Sequence, residues 1–292
     1  MGRHKLKLSF IGLGVMGYPM AGHLHTAGLA VTVYNRTTAK AQAWAQEYGG
    51  AYANTPAEAA AGADIVVICV GNDDDLRCVT IAEQGVVSAM VPGSILVDHT
   101  TASAEVAREL YTVCKKHGIG FVDAPVSGGE QGAINGQLTI MCGGDKASFT
   151  QAETVLNIYA KQLQYMGEAG SGQLTKMVNQ ICIAGLIQGL SEGLNFAEKA
   201  GLDIDNVIQA ISKGAAQSWQ MDNRYKTMSE NDYEHGFAVD WMRKDLAICL
   251  AEADSNGASL PVTALVDQFY KDVQQMGGNR WDTSSLLARL KR

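Results

Sequence analysis

A chain of 292 residues, 47% hydrophobic and 18% charged, has a globular composition, neither disordered nor fibrous, and is long enough for one large domain or two of ordinary size. The formal charge of −7 and the lack of a long Lys/Arg block argue against a nucleic-acid or anionic-membrane surface, because neutralising phosphates takes clustered cations. The expected partners are small molecules.

The first twenty residues set basic side chains before an apolar stretch, but Gly12, Gly14 and Gly17 interrupt it where a signal helix would be continuous. No apolar run approaches the roughly 20 residues of a membrane span, so a cytoplasmic location is expected. Residues 6–11 read as a short buried strand, 12–17 as a turn, 16–26 as a helix and 30–34 as a second strand. Strand, helix and strand within about 30 residues is the size of a βαβ unit. Helices over 38–47 and 56–61, a strand over 65–70, a strand over 95–98, a helix over 103–117 and a strand over 120–123 continue the alternation. Near-continuous apolar strands alternating with helices predict a parallel, doubly wound sheet.

Beyond about residue 166 strand-like runs vanish and Ala/Leu/Met/Gln-rich segments with helical spacing take over. Residues 174–199 predict one helix of roughly 25 residues, apolar on most sides, of the kind that runs through a core or an interface. Two domains are therefore expected, 1–166 and 167–292, with 167–172 as a hinge-like boundary and the long helix helping to build a homodimer or homotetramer. Cys69, Cys78, Cys114, Cys142, Cys182 and Cys249 are scattered without a C-x-x-C pair, so no metal site or disulfide framework is expected.

Gly12-Leu13-Gly14-Val15-Met16-Gly17 matches G-x-G-x-x-G, a weak pattern alone. Here it follows a predicted strand and opens a helix, which sets backbone N–H groups and a helix N-terminus against a pyrophosphate. At the end of the next strand, where an Asp or Glu usually accepts from the adenosine ribose of NAD, the chain reads Tyr34-Asn35-Arg36-Thr37. With no carboxylate to repel it, a 2′-phosphate could pair with Arg36 and hydrogen-bond to Asn35 and Thr37. NADP is the favoured cofactor, with NAD possible.

Residues 123–129, Asp-Ala-Pro-Val-Ser-Gly-Gly, follow another predicted strand. Ser127, Gly128 and Gly129 offer a hydroxyl and close-packed N–H donors that suit a carboxylate, though glycine clusters also mark plain turns. Lys176 lies about one turn into the long helix, with Asn179 at i+3 and Gln180 at i+4 on its face. A lysine partly desolvated beside a substrate can act as general acid or base while an amide fixes the substrate oxygen.

Four segments in order carry a family resemblance: Gly12-Leu13-Gly14-Val15-Met16-Gly17-Tyr18-Pro19-Met20; 123–129 running on through Gly136-Gln137-Leu138-Thr139-Ile140-Met141; 170–180; and Lys244-Asp245-Leu246. With these the chain resembles, over nearly its whole length, the β-hydroxyacid dehydrogenase family, which includes 3-hydroxyisobutyrate dehydrogenase and tartronate semialdehyde reductase. The resemblance implies an α/β fold, an N-terminal doubly wound Rossmann domain with a C-terminal all-α domain. It further implies Lys176 as catalytic acid/base, Ser127, Gly128, Gly129 and Asn179 as substrate contacts with Gln180 ranked behind Asn179, and Thr101 and Lys244 near the nicotinamide. His23 stands where many members carry Asn, and Val70-Gly71 replaces a common Leu-Pro in the cofactor-proximal loop. The second acid that 6-phosphogluconate dehydrogenases carry about two turns beyond the lysine is replaced by Ile183, and the lysine that imine reductases generally lose is kept.

The implied reaction interconverts a small β-hydroxyacid and its semialdehyde, with tartronate semialdehyde, 3-hydroxyisobutyrate, 3-hydroxypropionate and L-serine as candidates. By resemblance in position, Trp219, Met221, Phe237, Asp240 and Trp241 are candidate walls for the C2 substituent, although Trp and Met at helical spacing are more often core. Asp240 could pair with a substrate ammonium or, the commoner arrangement, with Arg243 or Lys244 on its own helix. A dinucleotide-binding regulatory or structural protein without turnover is the competing class.

Overall fold

In chain order the strands are β1 (Lys7–Ile11), β2 (Ala30–Tyr34), β3 (Ala51–Tyr52), β4 (Ile65–Ile68), β5 (Ile95–Asp98), β6 (Gly120–Asp123), β7 (Val126–Ser127), β8 (Leu138–Gly144) and β9 (Ala160–Gly167). The helices are α1 (Gly17–Thr26), α2 (Thr38–Tyr48), α3 (Pro56–Ala60), α4 (Asp73–Thr80), α5 (Ala104–Lys116), α6 (Gly129–Ile134), α7 (Lys146–Leu156), α8 (Ser171–Lys199), α9 (Ile204–Ile211), α10 (Trp219–Ser229), α11 (Val239–Asn256), α12 (Pro261–Gln275) and α13 (Leu286–Leu290). This computed structural model describes residues 6–291, so the basic residues at the very start of the chain lie outside the described residues. The chain divides into two compact units, Met1–Lys176 and Met177–Arg292.

In the first unit the strands form one sheet in the order β3-β2-β1-β4-β5-β6-β8-β7, with β9 on β8. Strands β1 to β6 pair in parallel, and β8 runs antiparallel to β6 and β7. Strand side chains alternate between two cores: Ile65, Val67, Ile95 and Val97 pack with α1, α2 and α7, whereas Val66, Ile68, Leu96 and Phe121 pack with α3 and α5. That two-sided burial is why these strands read as unbroken apolar runs. Strand order reverses between β1 and β4, so a crevice opens at their C-terminal ends, the place where open α/β sheets bind ligands.

The strand expected over 65–70 stops at Ile68, and Cys69, Val70 and Gly71 continue past its C-terminal end outside any strand or helix. Residues 124–167 supply β7, α6, β8, α7 and β9, elements not assigned from the sequence; β9, which has no fully buried residue, gives no apolar run to read. Helix α8 begins at Ser171, so the glycine-rich stretch read as a hinge already contains its first two residues.

The second unit is helical. Ala184 and Ile187 of α8 pack with Val239, Met242 and Leu246 of α11 and with Val266, Tyr270 and Val273 of α12. Leu190 and Leu194 of α8 pack with Ile208, Met221 and Met228. Among the described residues no helix is long and apolar enough to cross a membrane.

Candidate active site

The three glycines after β1 differ in what a side chain would meet. Gly12 has φ +98° and its N–H donates to Tyr34 O at 2.8 Å; a Cβ there would run into the Cys69 carbonyl and lie 3.1 Å from Val70 Cγ1. A Cβ at Gly17 would strike the Gly12 carbonyl and sit 3.0 Å from the Phe10 ring, whereas at Gly14 it would meet open space. The turn is thus closed on the sheet side and open on the other. Helix α1 has no side-chain cap, so the N–H groups of the exposed Val15 and the half-buried Met16, which lead into it, are fit to receive an anion. These observations fit a dinucleotide pyrophosphate.

Leu13 N–H donates to Asn35 Oδ1 at 2.9 Å, and Asn35 Nδ2 donates to Thr37 O at 3.1 Å. Asn35 therefore ties the glycine turn to the end of β2. Arg36 is exposed, and its guanidinium pairs with Asp75 of α4 at 3.1 Å. The expectation that no carboxylate stands near Arg36 is corrected here, because the acid arrives from a helix 39 residues further along.

The loop after β5 is heavily bonded. Val70 N–H donates to Thr100 Oγ1 at 3.1 Å and Thr100 N–H to Asp98 Oδ1 at 2.9 Å. Burial pushes the Asp98 carboxyl up to about 7, against the lowering effect of Thr100, with Asp123 on the next strand adding to the rise. Burial drives His99 down to about 4. A neutral His99 suits its partners: Nδ1–H donates to Ala124 O at 2.6 Å and Nε2 accepts from Tyr159 Oη at 2.7 Å, a tautomer assigned from the network. None of Asp98, His99 or Tyr159 stood out in the sequence: His99 and Tyr159 meet across 60 residues, and Asp98, bonded locally to Thr100, owes its shift to burial in the fold.

Ser127 ends β7 opposite Thr139 of β8. Gly128 (φ +133°) and Gly129 (φ +62°) lead into α6. Gly129 has open space around it, so its conformation, more than its room, demands glycine. Lys176, in the same unit, lies about one turn into α8 and is 7% exposed. Burying an ammonium is costly enough that lysine is rarely found so covered without a task.

In the second unit, Asn179 Nδ2 donates to Gln180 Oε1 at 2.8 Å, and the buried Gln180 donates Nε2 to Asp245 Oδ2 at 2.7 Å. Lys244 Nζ lies 3.2 Å from Asp245 Oδ1. Asp245 thus joins Gln180 and Lys244, a role only its place beside Lys244 could have hinted at. Asp240 pairs with neither Arg243 nor Lys244. Its Oδ1 accepts from Gln274 Nε2 at 2.5 Å and Asn279 Nδ2 at 3.1 Å, while Arg243 binds Asp267 through two nitrogens. The favoured helix salt bridge is overturned because Asp267 of α12 takes Arg243 while the amides of Gln274 and Asn279 take Asp240. Trp219 is exposed at the start of α10, with the Arg224 guanidinium 5.0 Å from its ring centroid. Val70 and Gly71 follow β4 in the first unit, with Val70 Cγ1 3.1 Å from where a Cβ at Gly12 would stand.

Residues 7–167 match the model of the NAD-binding domain of 6-phosphogluconate dehydrogenase, and residues 170–290 match the NAD-binding domain of NADP-dependent 3-hydroxyisobutyrate dehydrogenase. An uncharacterized oxidoreductase of Shewanella frigidimarina is 63% identical over 98% of each chain. A probable 3-hydroxyisobutyrate dehydrogenase-like protein of Arabidopsis thaliana is 40% identical over 98% of this chain and 85% of its own. Among solved structures, the 3-hydroxyisobutyrate dehydrogenase of Mycobacterium tuberculosis with L-serine superposes with a TM-score of 0.89 and 28% identity, covering 99% of this chain and 100% of that one.

Proposed function

The chain belongs to the β-hydroxyacid dehydrogenase family, and from that membership we propose that it is an NADP(H)-dependent oxidoreductase interconverting a small β-hydroxyacid and its semialdehyde, with Lys176 as the acid/base. That it is an NAD(P)-dependent oxidoreductase acting on CH–OH follows from the family; substrate and phosphate preference are the proposal. The observation that carries it is the buried lysine at the start of α8, in the same unit as the glycine turn and the Ser127-Gly128-Gly129 loop.

The dinucleotide, when bound, supplies the acceptor or donor of hydride. Everything else falls to the protein. Ser127 and the N–H groups of Gly128 and Gly129 hold the substrate carboxylate, which fixes the distance from anchor to reacting carbon and selects β-hydroxyacids. Lys176, neutral in the oxidation direction, takes the proton from the substrate hydroxyl; in reduction its ammonium returns it, a contribution of about 10²- to 10⁴-fold. Asn179, one turn further along α8, holds the substrate oxygen, with Gln180 behind it fixing its amide. Trp219 and Asp240 read the C2 substituent, and Thr101 and Lys244 serve the nicotinamide end. Arg36 serves a 2′-phosphate, trading Asp75 for it, since an exposed ion pair is worth only about 0–1 kcal/mol. The tuberculosis relative with L-serine keeps serine beside tartronate semialdehyde, 3-hydroxyisobutyrate and 3-hydroxypropionate among the candidates. The exposed Val178, Leu186 and Phe196 of α8 support a homodimer or homotetramer that covers them, in a cytoplasmic protein acting on small carboxylates, not nucleic acid or membrane.

The test is steady-state oxidation of L-serine, 3-hydroxyisobutyrate and 3-hydroxypropionate, and reduction of succinic and tartronate semialdehydes, with NAD(H) and NADP(H), in wild type and Lys176→Ala. Turnover that prefers the phosphorylated cofactor and collapses in the variant is expected. Dinucleotide binding with no turnover on any pair would instead favour a binding role.

A further inference from the structure

Two buried side chains outside the reacting groups fix the start of α8, the helix that carries Lys176. Asp123, at the end of β6, is fully buried, and both its oxygens are used: Oδ1 accepts from Gly170 N–H at 2.8 Å and Oδ2 from Gln173 N–H at 3.0 Å. A carboxylate at this place satisfies N–H groups that a helix leaves orphaned and complements the positive end of its dipole. Room for it exists only because two neighbours are glycines. A Cβ at Gly143 would lie 2.6 Å from Oδ1 and 2.9 Å from Oδ2, and one at Gly172 would lie 2.8 Å from Oδ2.

Gln173 reaches the other way. Its side chain is also fully buried; Oε1 accepts from Ala102 N–H at 3.1 Å and Nε2 donates to Thr100 O at 2.7 Å. One amide therefore grips the backbone on both sides of Thr101, across 71 and 73 residues of sequence. Helix formation requires neither bond, since a cap satisfies a helix locally. What the two bonds do is join the loop carrying Thr101 to the turn of α8 that precedes Lys176, three residues or about 4.5 Å of helix away.

We infer that Gln173, seated by Asp123, is a positioning residue for the hydride-transfer reaction: it locks the loop carrying Thr101 and the first turn of α8 into one rigid piece, so that Lys176 is held in register with the nicotinamide-facing loop. The inference rests on the reading of Lys176 as acid/base. Gln173 touches no reacting atom and acts only through that register. Misplacing a reacting group by about 1 Å can cost on the order of 10²-fold in rate.

The experiment compares wild type, Gln173→Ala, Lys176→Ala, the double variant and Asp123→Asn. Asparagine keeps the shape of aspartate but turns an N–H group toward one of the helix donors, so it loosens the seat by a second route if Gln173→Ala folds poorly. In folded Gln173→Ala, kcat is expected to fall by about 10- to 100-fold while the dinucleotide Kd stays within about threefold. The double variant should be no slower than Lys176→Ala alone, because a residue that acts only through the lysine has nothing left to place. A multiplicative loss in the double variant, or a wild-type kcat in Gln173→Ala, overturns the inference.

Amide hydrogen exchange separates this from the functional reading, because it needs no substrate. Residues 99–104 and 170–176 should lose protection together in Gln173→Ala and in Asp123→Asn, with the rest of the sheet unchanged. If 99–104 keeps wild-type protection, the clamp is not Gln173 and the inference fails, whatever the enzyme turns over. If exchange behaves as expected but wild type turns over nothing, the clamp stands as a structural fact and the assignment of Lys176 is what falls.

Discussion

Arg36 and Asp75 face each other at 3.1 Å, the arginine almost fully solvated and the aspartate at the first turn of α4, where Asn72 caps the helix by accepting from Asp75 N–H at 2.8 Å. A 2′-phosphate arriving at Arg36 must share the guanidinium with this carboxylate or displace it. Asp75→Asn is therefore expected to lower the KM for NADP by up to about fivefold, the upper end of what an exposed pair is worth, and to leave the KM for NAD unchanged. Arg36→Ala should raise the KM for NADP by tenfold or more on the scale of a lost charge-assisted contact. Equal effects of either change on both cofactors would show that Arg36 does not read the phosphate.

The glycine turn separates folding from binding. Gly17→Ala puts a methyl group into the Gly12 carbonyl and is expected to cost stability on the overpacking scale of about 1–3 kcal/mol. Gly14→Ala meets open space, so the melting temperature should be nearly unchanged while dinucleotide affinity drops, because the methyl group occupies the path of the pyrophosphate. Thermal unfolding and dinucleotide titration of the two variants check this. A Gly14→Ala protein that binds as wild type would place the phosphates elsewhere.

The adjacent Asp98 and His99 pull stability in opposite directions with pH. Asp98 is raised from 3.8 to about 7, so the folded protein keeps a proton that the unfolded chain releases. Its contribution is complete below about 4 and is lost as pH rises to about 7. His99 is lowered from 6.5 to about 4, so its contribution is complete above 6.5 and is lost as pH falls toward 4. Between those limits each offsets one proton of the other. Asp98→Asn removes one side, and its stability relative to wild type is expected to climb from pH 4 to 7 by up to roughly 4 kcal/mol. Melting temperatures of the two proteins at pH 4.5, 5.5 and 7 read the difference; a constant offset would mean that Asp98 is ionised throughout.

Gln180 carries the amide of Asn179 on one side and the buried Asp245 on the other. Gln180→Leu keeps the volume and removes both bonds, leaving a buried carboxylate short of a donor at a cost of about 1–3 kcal/mol. The substrate KM should rise as Asn179 loosens, with the dinucleotide Kd unaltered. A variant that loses stability but keeps its substrate KM would confine Gln180 to packing.

Much of the first unit was legible because its signals are local. Residues 30–34, 95–98 and 120–123 appear as β2, β5 and β6 with the bounds read from apolar runs, since a strand buried on both faces needs no partner to be recognised. The glycine turn reads equally well, because conformational and steric demands at Gly12 and Gly17 arise within a few residues or at the neighbouring strand. Lys176 could be singled out only through its company in ordered motifs, and its burial is a property of the fold.

What the chain alone determined, then, is the alternation that builds a doubly wound sheet, the cradle for a dinucleotide, and the residues that are candidates to move a proton and hold a carboxylate. The tertiary structure decided which of them are already engaged. Asp75 reaches Arg36 from 39 residues away, Gln173 grips both sides of Thr101 from more than 70, Tyr159 closes on His99 from 60, and Gln274 takes Asp240 from 34. Periodicity and spacing describe a segment by its own backbone, whereas a hydrogen bond between distant segments depends on which surfaces packing brings within about 3 Å.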